Sequence, residues 1–268
     1  MHQHFLTGWH KFLCASALFL CVSQTALADD AALSYPELLL DDVKHVITAP
    51  ARWEETEWKN VGWDALAVVG TALIIDRPLR DEMRRHSGNS QFMLQVERFG
   101  SQYAVGVVGA FYVAGTLGGN ETSMQVASDS LAASLIASGL ITPSIKLVVG
   151  RSRPRDNAGV YNFRPFSNNN ASFPSGHATE AFALASVISD HYEETWITCA
   201  SYSVAGLVGM ARIYHEAHFA SDVVAGAMIG TLVGKSVVSY NKQRRAGKVA
   251  VLPDIAPGML GLRLAGNF

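Results

Sequence analysis

The chain has 268 residues, of which 49% are hydrophobic and 16% are charged, and its formal net charge is −2. This length suffices for one sizeable domain with extensions, and the nearly neutral charge argues against a nucleic-acid-binding protein. The composition leaves two classes of protein open, a helical globular protein and a membrane-embedded one.

Residues 1–28 are typical of a signal peptide. An apolar run follows Lys11, and small residues precede a cleavage site between Ala28 and Asp29. The run is shorter than the roughly 20 residues that a membrane-spanning helix needs, although a retained anchor is the alternative. We therefore expect an exported, periplasmic protein in which cleavage leaves Cys199 as the only cysteine, so that no internal disulfide forms.

The rest of the chain divides into an acidic N-terminal segment (29–60), a helical domain (61–240), and a basic linker with a C-terminal tail (241–268). In the middle part, apolar stretches rich in small residues end at charges, Pro or Gly, which is typical of helices. These stretches are residues 61–76, 101–118, 128–149, 177–190, 196–213 and 222–240. The expected fold class is all-α, a bundle of about six core helices with a short irregular or β-like tail.

Glycines recur within two of the predicted helices and would let neighbouring helices approach closely. They are Gly106, Gly109 and Gly115 in one helix and Gly226, Gly230 and Gly234 in the other. The segment 61–76 is short for a membrane span. If all six helices crossed a membrane, Lys146 and Arg212 would lie on the cytoplasmic side, which contradicts export. We expect a periplasmic bundle that associates with membranes, with a membrane-embedded protein as the alternative.

Three clusters of polar residues lie where predicted helices begin or end. In the first, six residues separate Lys146 from Arg153, and Pro154 then stops the helix. A flexible ammonium and a planar guanidinium at one helix end can reach the same anion from two directions. A dipole-favoured pair of cations at a helix C-terminus would look the same, so this cluster alone is weak evidence.

The second cluster is Pro174, Ser175, Gly176 and His177, directly before an apolar helix. Ser175 is a candidate N-cap. The free backbone N–H groups at such a helix start bind phosphate oxygens, and Gly176 permits close approach. His177 would then face that ligand from the first turn. The alternative is a simple capping turn with an incidental histidine.

The third cluster contains Arg212, His218 and Asp222. His218 and Asp222 are four residues apart, so one helical turn brings them to the same face. A carboxylate bonded to one ring nitrogen fixes the tautomer and leaves the other nitrogen to attack or to bind metal. A surface ion pair has the same spacing. His215 is interpreted as a supporting residue rather than a reacting one.

Taken together, these motifs resemble the three-part signature of the type 2 phosphatidic acid phosphatase superfamily, which includes lipid phosphatases, bacterial class A acid phosphatases and vanadium haloperoxidases. The order and gaps match over residues 146–222. One departure is Ala211, where the family usually has a serine before the arginine. Loss of that hydroxyl would weaken a supporting hydrogen bond.

The resemblance implies a role for each matched residue. His218 would attack phosphorus to form a phosphohistidine, Asp222 would orient its ring, and His177 would act as acid and then as base. Phosphate would be bound by Lys146, Arg153, Ser175, Gly176 and Arg212. No metal or other cofactor is expected, since three cations supply the charge and the chain shows no carboxylate cluster with metal-ligand spacing.

Two rival functions remain open at this stage. A vanadate-dependent haloperoxidase would use the same pocket with vanadate as cofactor, whereas in a phosphatase vanadate would inhibit. A non-catalytic bundle that binds phosphate or lipid is the other. The partner is a small-molecule or lipid phosphate in each case, and no nucleic acid. The substrates considered are phosphatidate, phosphatidylglycerophosphate, isoprenyl diphosphates and soluble monoesters, and neither substrate nor oligomeric state follows from the sequence.

Overall fold

The computed structural model describes residues 34–86, 88, 90–167 and 171–246, together with the backbone of 250–256 and 259–265. The predicted signal peptide, residues 1–28, lies outside the described residues. Within these limits the chain is almost entirely helical, which confirms the all-α prediction.

The helices follow one another with short connections. They are α1 (Tyr35–Thr48), α2 (Glu55–Ile74), α3 (Asp76–His86), α4 (Gln91–Glu97), α5 (Gln102–Gly118), α6 (Glu121–Ser134), α7 (Thr142–Val149), α8 (Gly176–His191), α9 (Thr195–Tyr214) and α10 (Ala220–Ala246). A π-helical turn, Leu135–Ile141, joins α6 to α7, and 3₁₀ turns lie at Ala49–Arg52, Arg98–Gly100 and Pro154–Asp156. The tail forms two antiparallel strands, β1 (Ala250–Ala256) and β2 (Met259–Ala265).

All six predicted helical segments are helical. Three further helices, α1, α3 and α4, were not predicted, because they lack a long apolar run. Local signals account for their starts: Ser34 and Glu37 form a capping box at α1, and the Ser90 hydroxyl accepts from the N–H of Met93 at α4. Helix α10 continues to Ala246, so the first part of the expected basic linker is helical.

Helix α8 lies at the centre of the bundle and packs against α6, α9 and α10. Its contact with α10 depends on small residues, since a methyl group at Gly230 would lie 2.3 Å from the carbonyl oxygen of Thr179. Gly226 and Gly234 are equally close to α8. The expectation of close approach was wrong for Gly106 and Gly109, which have nothing within 4 Å.

Two helical stretches, Glu121–Val149 and Ala220–Ala246, are long and apolar enough to cross a membrane. Large apolar side chains are also exposed along α2, among them Trp63, Leu66, Leu73 and Ile74. Such a surface is unusual for a soluble monomer. Both features fit association with a membrane.

Candidate active site

The first motif contains a sharp turn of the chain at a glycine. Gly150 ends α7 with a φ of 58°, and a methyl group there would lie 1.8 Å from the carbonyl oxygen of Arg164. Only glycine fits this left-handed, crowded position. One turn earlier, the Lys146 ammonium donates to the carbonyl oxygens of Ala171 (3.0 Å) and Ser172 (3.2 Å). Arg153 follows the turn, is buried, and donates to the carbonyl oxygen of Ala217 at 3.5 Å.

The second motif starts α8. The Ser175 hydroxyl caps the helix by accepting from the N–H of Ala178 at 3.4 Å, and the Ser175 N–H donates to the carbonyl oxygen of Asp222 at 2.9 Å. A methyl group at Gly176 would meet Thr142 at 3.8 Å, an ordinary contact. Neighbouring protein atoms therefore do not require glycine here. The first N–H groups of α8 point out of the helix without intrahelical acceptors, as an anion site requires.

His177 lies in the first turn of α8, half-buried beneath the 3₁₀ turn Arg98–Gly100. A methyl group at Gly100 would come within 2.8 Å of the His177 Cβ, so this turn packs directly on the histidine. The charges of Arg212, Arg153 and Lys146 all act on the imidazole. The structure thus brings residues of the first and third motifs to His177, which belongs to the second.

Arg212 lies in the last turn of α9 and is bound by a carboxylate at the end of α4. Its Nη1 donates to Glu97 Oε2 at 2.5 Å, and His215 Nδ1 lies 2.8 Å from the same oxygen. The Arg212 Nε is buried and has no hydrogen-bond partner among the described residues. His215 therefore contacts the same carboxylate oxygen as Arg212. Ala211 is fully buried among apolar side chains, including Val96 and Val208.

His218 and Asp222 are adjacent but not directly bonded. His218 is only 3% exposed, and its Nδ1 lies 3.7 Å from Asp222 Oδ2, which exceeds hydrogen-bond length. Ser172 links them: its hydroxyl lies 3.4 Å from His218 Nδ1 and donates to Asp222 Oδ2. The predicted carboxylate–imidazole bond is thus replaced by a bridge through a serine hydroxyl.

The surroundings of the two histidines keep both imidazoles neutral. Burial lowers the pKa of His218 well below its usual value, and the charges of Lys146, Arg153 and Arg212 lower it further. Burial and the same cations lower the pKa of His177 in the same direction. Burial also lowers the pKa of Arg153 to about 10, so this guanidinium stays charged at neutral pH. Burial also lowers the pKa of Lys146 to about 7. The site therefore combines two charged guanidiniums and a lysine that titrates near neutral pH with an unprotonated imidazole, which is the nucleophilic form.

Four side chains at the site were not predicted to belong to it. They are Asp76, Glu97, Arg151 and Ser172. Arg151 lies in the first motif, between Lys146 and Arg153, but no spacing signal marks it as part of the site. The other three lie outside the motifs and reach the site only through tertiary packing. In the described part of the chain, no group of three or more His, Cys, Asp or Glu side chains could hold a metal ion.

Part of the chain is similar in sequence to a known family. Residues 130–246 match the PAP2 superfamily model. The chain is 43% identical over 84 residues to a lipid A 1-phosphatase of Porphyromonas gingivalis, covering 30% of this chain and 19% of that protein. It is 37% identical over 103 residues to a lipid A 1-phosphatase of Rhizobium johnstonii, covering 36% of this chain and 40% of that protein.

Among solved structures, the Aquifex aeolicus protein LpxE aligns with a TM-score of 0.48 and 24% identity, covering 62% of this chain and 96% of that one. The chain thus spans less than half the length of the two curated relatives that it matches. The family match contains all three motifs, from Lys146 to Asp222. Over residues 130–246, less than half of its length, this chain is similar to the PAP2 superfamily.

Proposed function

We propose that this protein is a metal-independent phosphatase that hydrolyses a phosphorylated lipid through a phosphohistidine on His218. The observation that carries the proposal is the charge balance around that ring. Lys146, Arg153 and Arg212 all act on His218, and the Lys146 ammonium donates to the carbonyl oxygens of Ala171 and Ser172. This concentration of positive charge is complementary to a phosphate dianion.

In the first step, His218 Nε2 attacks phosphorus in line with the ester oxygen. The three cations stabilise the charge on the equatorial oxygens, with the N–H groups at the start of α8 as further donors. His177 gives a proton to the leaving alkoxide. The dianion itself raises the pKa of His177 when it binds, because an opposite charge nearby favours the protonated ring. The P–O bond breaks as the P–N bond forms.

In the second step, neutral His177 takes a proton from a water molecule, whose oxygen attacks the phosphohistidine. The P–N bond breaks and inorganic phosphate leaves. Asp222, held by Ser172 beside the Nδ1 of His218, stabilises the positive charge that the ring carries in the intermediate. Each of the residues predicted from the motifs has a distinct part in this scheme.

A lipid substrate is favoured over soluble monoesters by two observations. Two curated relatives that this chain resembles carry the name lipid A 1-phosphatase, and the exposed apolar side chains of α2 fit a protein that meets its substrate at a membrane. We propose that the protein is exported, as residues 1–28 suggest, and acts at a membrane facing the periplasm.

The test uses the full chain purified in detergent, with a chelator present throughout. Lipid A, phosphatidate, phosphatidylglycerophosphate, an isoprenyl diphosphate and an aryl phosphate are compared for phosphate release. We expect release from at least one lipid, faster than from the aryl phosphate, and inhibition by vanadate. Bromide oxidation by peroxide with added vanadate, without phosphate release, would identify a haloperoxidase instead.

Two variants separate catalysis from binding. His218→Ala should abolish phosphate release while the protein remains folded, whereas His86→Ala, a control at an exposed histidine on α3, should leave it unchanged. If the wild-type protein binds a lipid phosphate but releases no phosphate from any substrate, the chain is a binding protein.

A further inference from the structure

We propose that Asp76 and Arg151 are positioning residues that fix the orientation and the effective charge of the Asp222 carboxylate behind His218. The proposal rests on the proposed function for its catalytic consequence, and on the geometry alone for the link itself. It assigns a role to Asp76, which lies 146 positions before Asp222 and outside every motif.

Asp76 is a buried carboxylate whose bonds all lead to the third motif or to Arg151. It starts α3 and is only 1% exposed. Oδ1 accepts from the Ser221 N–H at 2.9 Å, and Oδ2 accepts from the Ser221 hydroxyl at 2.5 Å and from Arg151 Nη2 at 2.8 Å. Three hydrogen bonds to one buried carboxylate fix its position closely.

Arg151 connects Asp76 to Asp222. Its Nη1 donates to Asp222 Oδ1 at 2.6 Å and to the Ser221 hydroxyl at 2.8 Å. Its remaining donors are used on the carbonyl oxygen of Val160, and its guanidinium lies 4.1 Å from the centre of the Phe219 ring. The hydrogen bonds of Arg151 fix its planar guanidinium in one orientation. The position of the Asp76 carboxylate therefore determines the position of the Asp222 carboxylate.

The two carboxylate oxygens of Asp222 accept hydrogen bonds from different donors. Oδ1 is bound by Arg151, while Oδ2 accepts from the Phe219 N–H at 2.8 Å and from the Ser172 hydroxyl. Oδ2 is the oxygen nearest His218, at 3.7 Å. Because Arg151 holds Oδ1, the carboxylate cannot rotate away from the ring.

Charge provides the second part of the argument. Lys146, Arg153 and Arg212 face His218 as cations, His177 faces it as a second imidazole, and Asp222 is the carboxylate beside it. Arg151 alone would cancel the negative charge of Asp222. Asp76 restores it, since the buried group of two carboxylates and one guanidinium carries one net negative charge. A buried ion group of this kind stabilises a fold poorly, which suggests that it contributes to the function of the site rather than to stability.

The experiment measures the protonation of His218 by NMR in the full chain, without substrate or phosphate. Asp76→Asn removes a negative charge at constant size and should lower the pKa of His218. Arg151→Gln removes a positive charge and should raise it. A purely structural role would not produce shifts of opposite sign. Asp42→Asn, at a buried carboxylate near Arg244 instead, is the control and should leave His218 unchanged.

Kinetics supply the second readout. In the proposed reaction, Asp76→Asn should lower kcat on the order of tenfold with KM nearly unchanged. The same substitution in an Asp222→Asn background should have no further effect, because Asp76 acts through Asp222. Loss of thermal stability with unchanged kcat would indicate a structural role only.

The outcomes are separable. If Asp76→Asn leaves the His218 titration unchanged, or if both variants shift it in the same direction, the proposal is overturned. If Arg151→Gln does not fold, Asp76→Asn decides alone. If the wild-type protein releases no phosphate from any substrate, the proposed function fails, while the titration still tests the link between Asp76 and His218.

Discussion

The two ends of helix α10 both carry buried charged groups, yet the groups differ in how fully they are paired. Asp222 is at the start of the helix and Asn241 near its end, about 28 Å apart at 1.5 Å per residue. At the far end, Asp129 accepts from His191 Nε2 (2.8 Å), Asn241 Nδ2 (2.8 Å) and Arg245 Nη2 (2.9 Å). At the near end, Lys146 donates only to carbonyl oxygens.

This difference separates a structural network from a binding site. Asp129 has enough donors to balance a buried carboxylate, so it ties α6, α8 and α10 together. Around His218, Arg153 Nε and Arg212 Nε are buried without hydrogen-bond partners in the described part of the chain. Buried charge without a partner is costly, and an arriving phosphate removes that cost.

The largest expected effect separates the two buried histidines. His218→Ala should reduce kcat by about three orders of magnitude or more, because the nucleophile is lost. His191→Ala, at the far end, should lower the melting temperature and leave kcat per folded molecule unchanged. Phosphate release and thermal unfolding of both variants check this. Equal losses of kcat would mean that the two ends do not differ in function.

The next largest effect concerns the cations that would bind phosphate. Lys146→Met should lower kcat by about a hundredfold, since one charge on the transferring phosphoryl group is removed. Lys242→Met is the matched control, because Lys242 is an exposed lysine on α10 that donates to the carbonyl oxygen of Asp190. Steady-state kinetics of the pair measure the difference. A similar kcat for the two variants would contradict the proposed phosphate contact.

A substitution at the far end of α10 should lower stability and leave activity unchanged. Asp129→Asn leaves Arg245 and His191 without their charged partner, and we expect the free energy of unfolding to fall by about 3 kcal/mol. Denaturant unfolding of the full chain in detergent measures this change. The activity of the folded fraction should remain that of the wild-type protein. A stable variant with reduced kcat would show that the network serves the site.

The smallest effect is a dependence of stability on pH. The pKa of His218 is lowered in the folded, empty site, so the unfolded chain takes up the proton first as the pH falls below about 6.5. Stability should therefore decrease with falling pH, by up to about 1.4 kcal/mol per pH unit from this histidine. His218→Gln should flatten the curve between pH 7.5 and 5. An unchanged slope would mean that groups other than His218 cause the pH dependence of stability.

The sequence predicted the motif residues because each lies at a helix end with fixed local spacing. The local pattern around each of Lys146, His177 and His218 was ambiguous, and the resemblance of the three clusters together to a known signature identified them. Asp76 and Glu97 were missed, since each is far from the motifs along the chain and comes near them only when α3 and α4 pack beside α9 and α10. Ser172 was missed for another reason: the two-residue spacing to Pro174 carries no helical signal, so its bridging role depends on loop geometry.

The fold was predicted in outline and not in detail. Small residues and apolar runs indicated the six core helices, and Gly230 approaches α8 as expected. Gly106 and Gly109 face open space, because a stripe of glycines does not specify which neighbour will cover it. Helix α3 was missed since its sequence is largely charged, and its burial against the site follows from the bonds of Asp76.

The central claim is that His218 carries the phosphoryl group between the two steps. With an activated aryl phosphate as substrate, whose leaving group needs no proton, His177→Asn should slow only the second step, so the covalent intermediate should accumulate. The full-length His177→Asn variant is mixed with ³²P-labelled substrate, quenched in alkali and digested, and the labelled peptide is sequenced by mass spectrometry. We expect an acid-labile, alkali-stable phosphate on His218. Label on Ser172 or Ser175, or continued turnover without any labelled His218, would contradict the account.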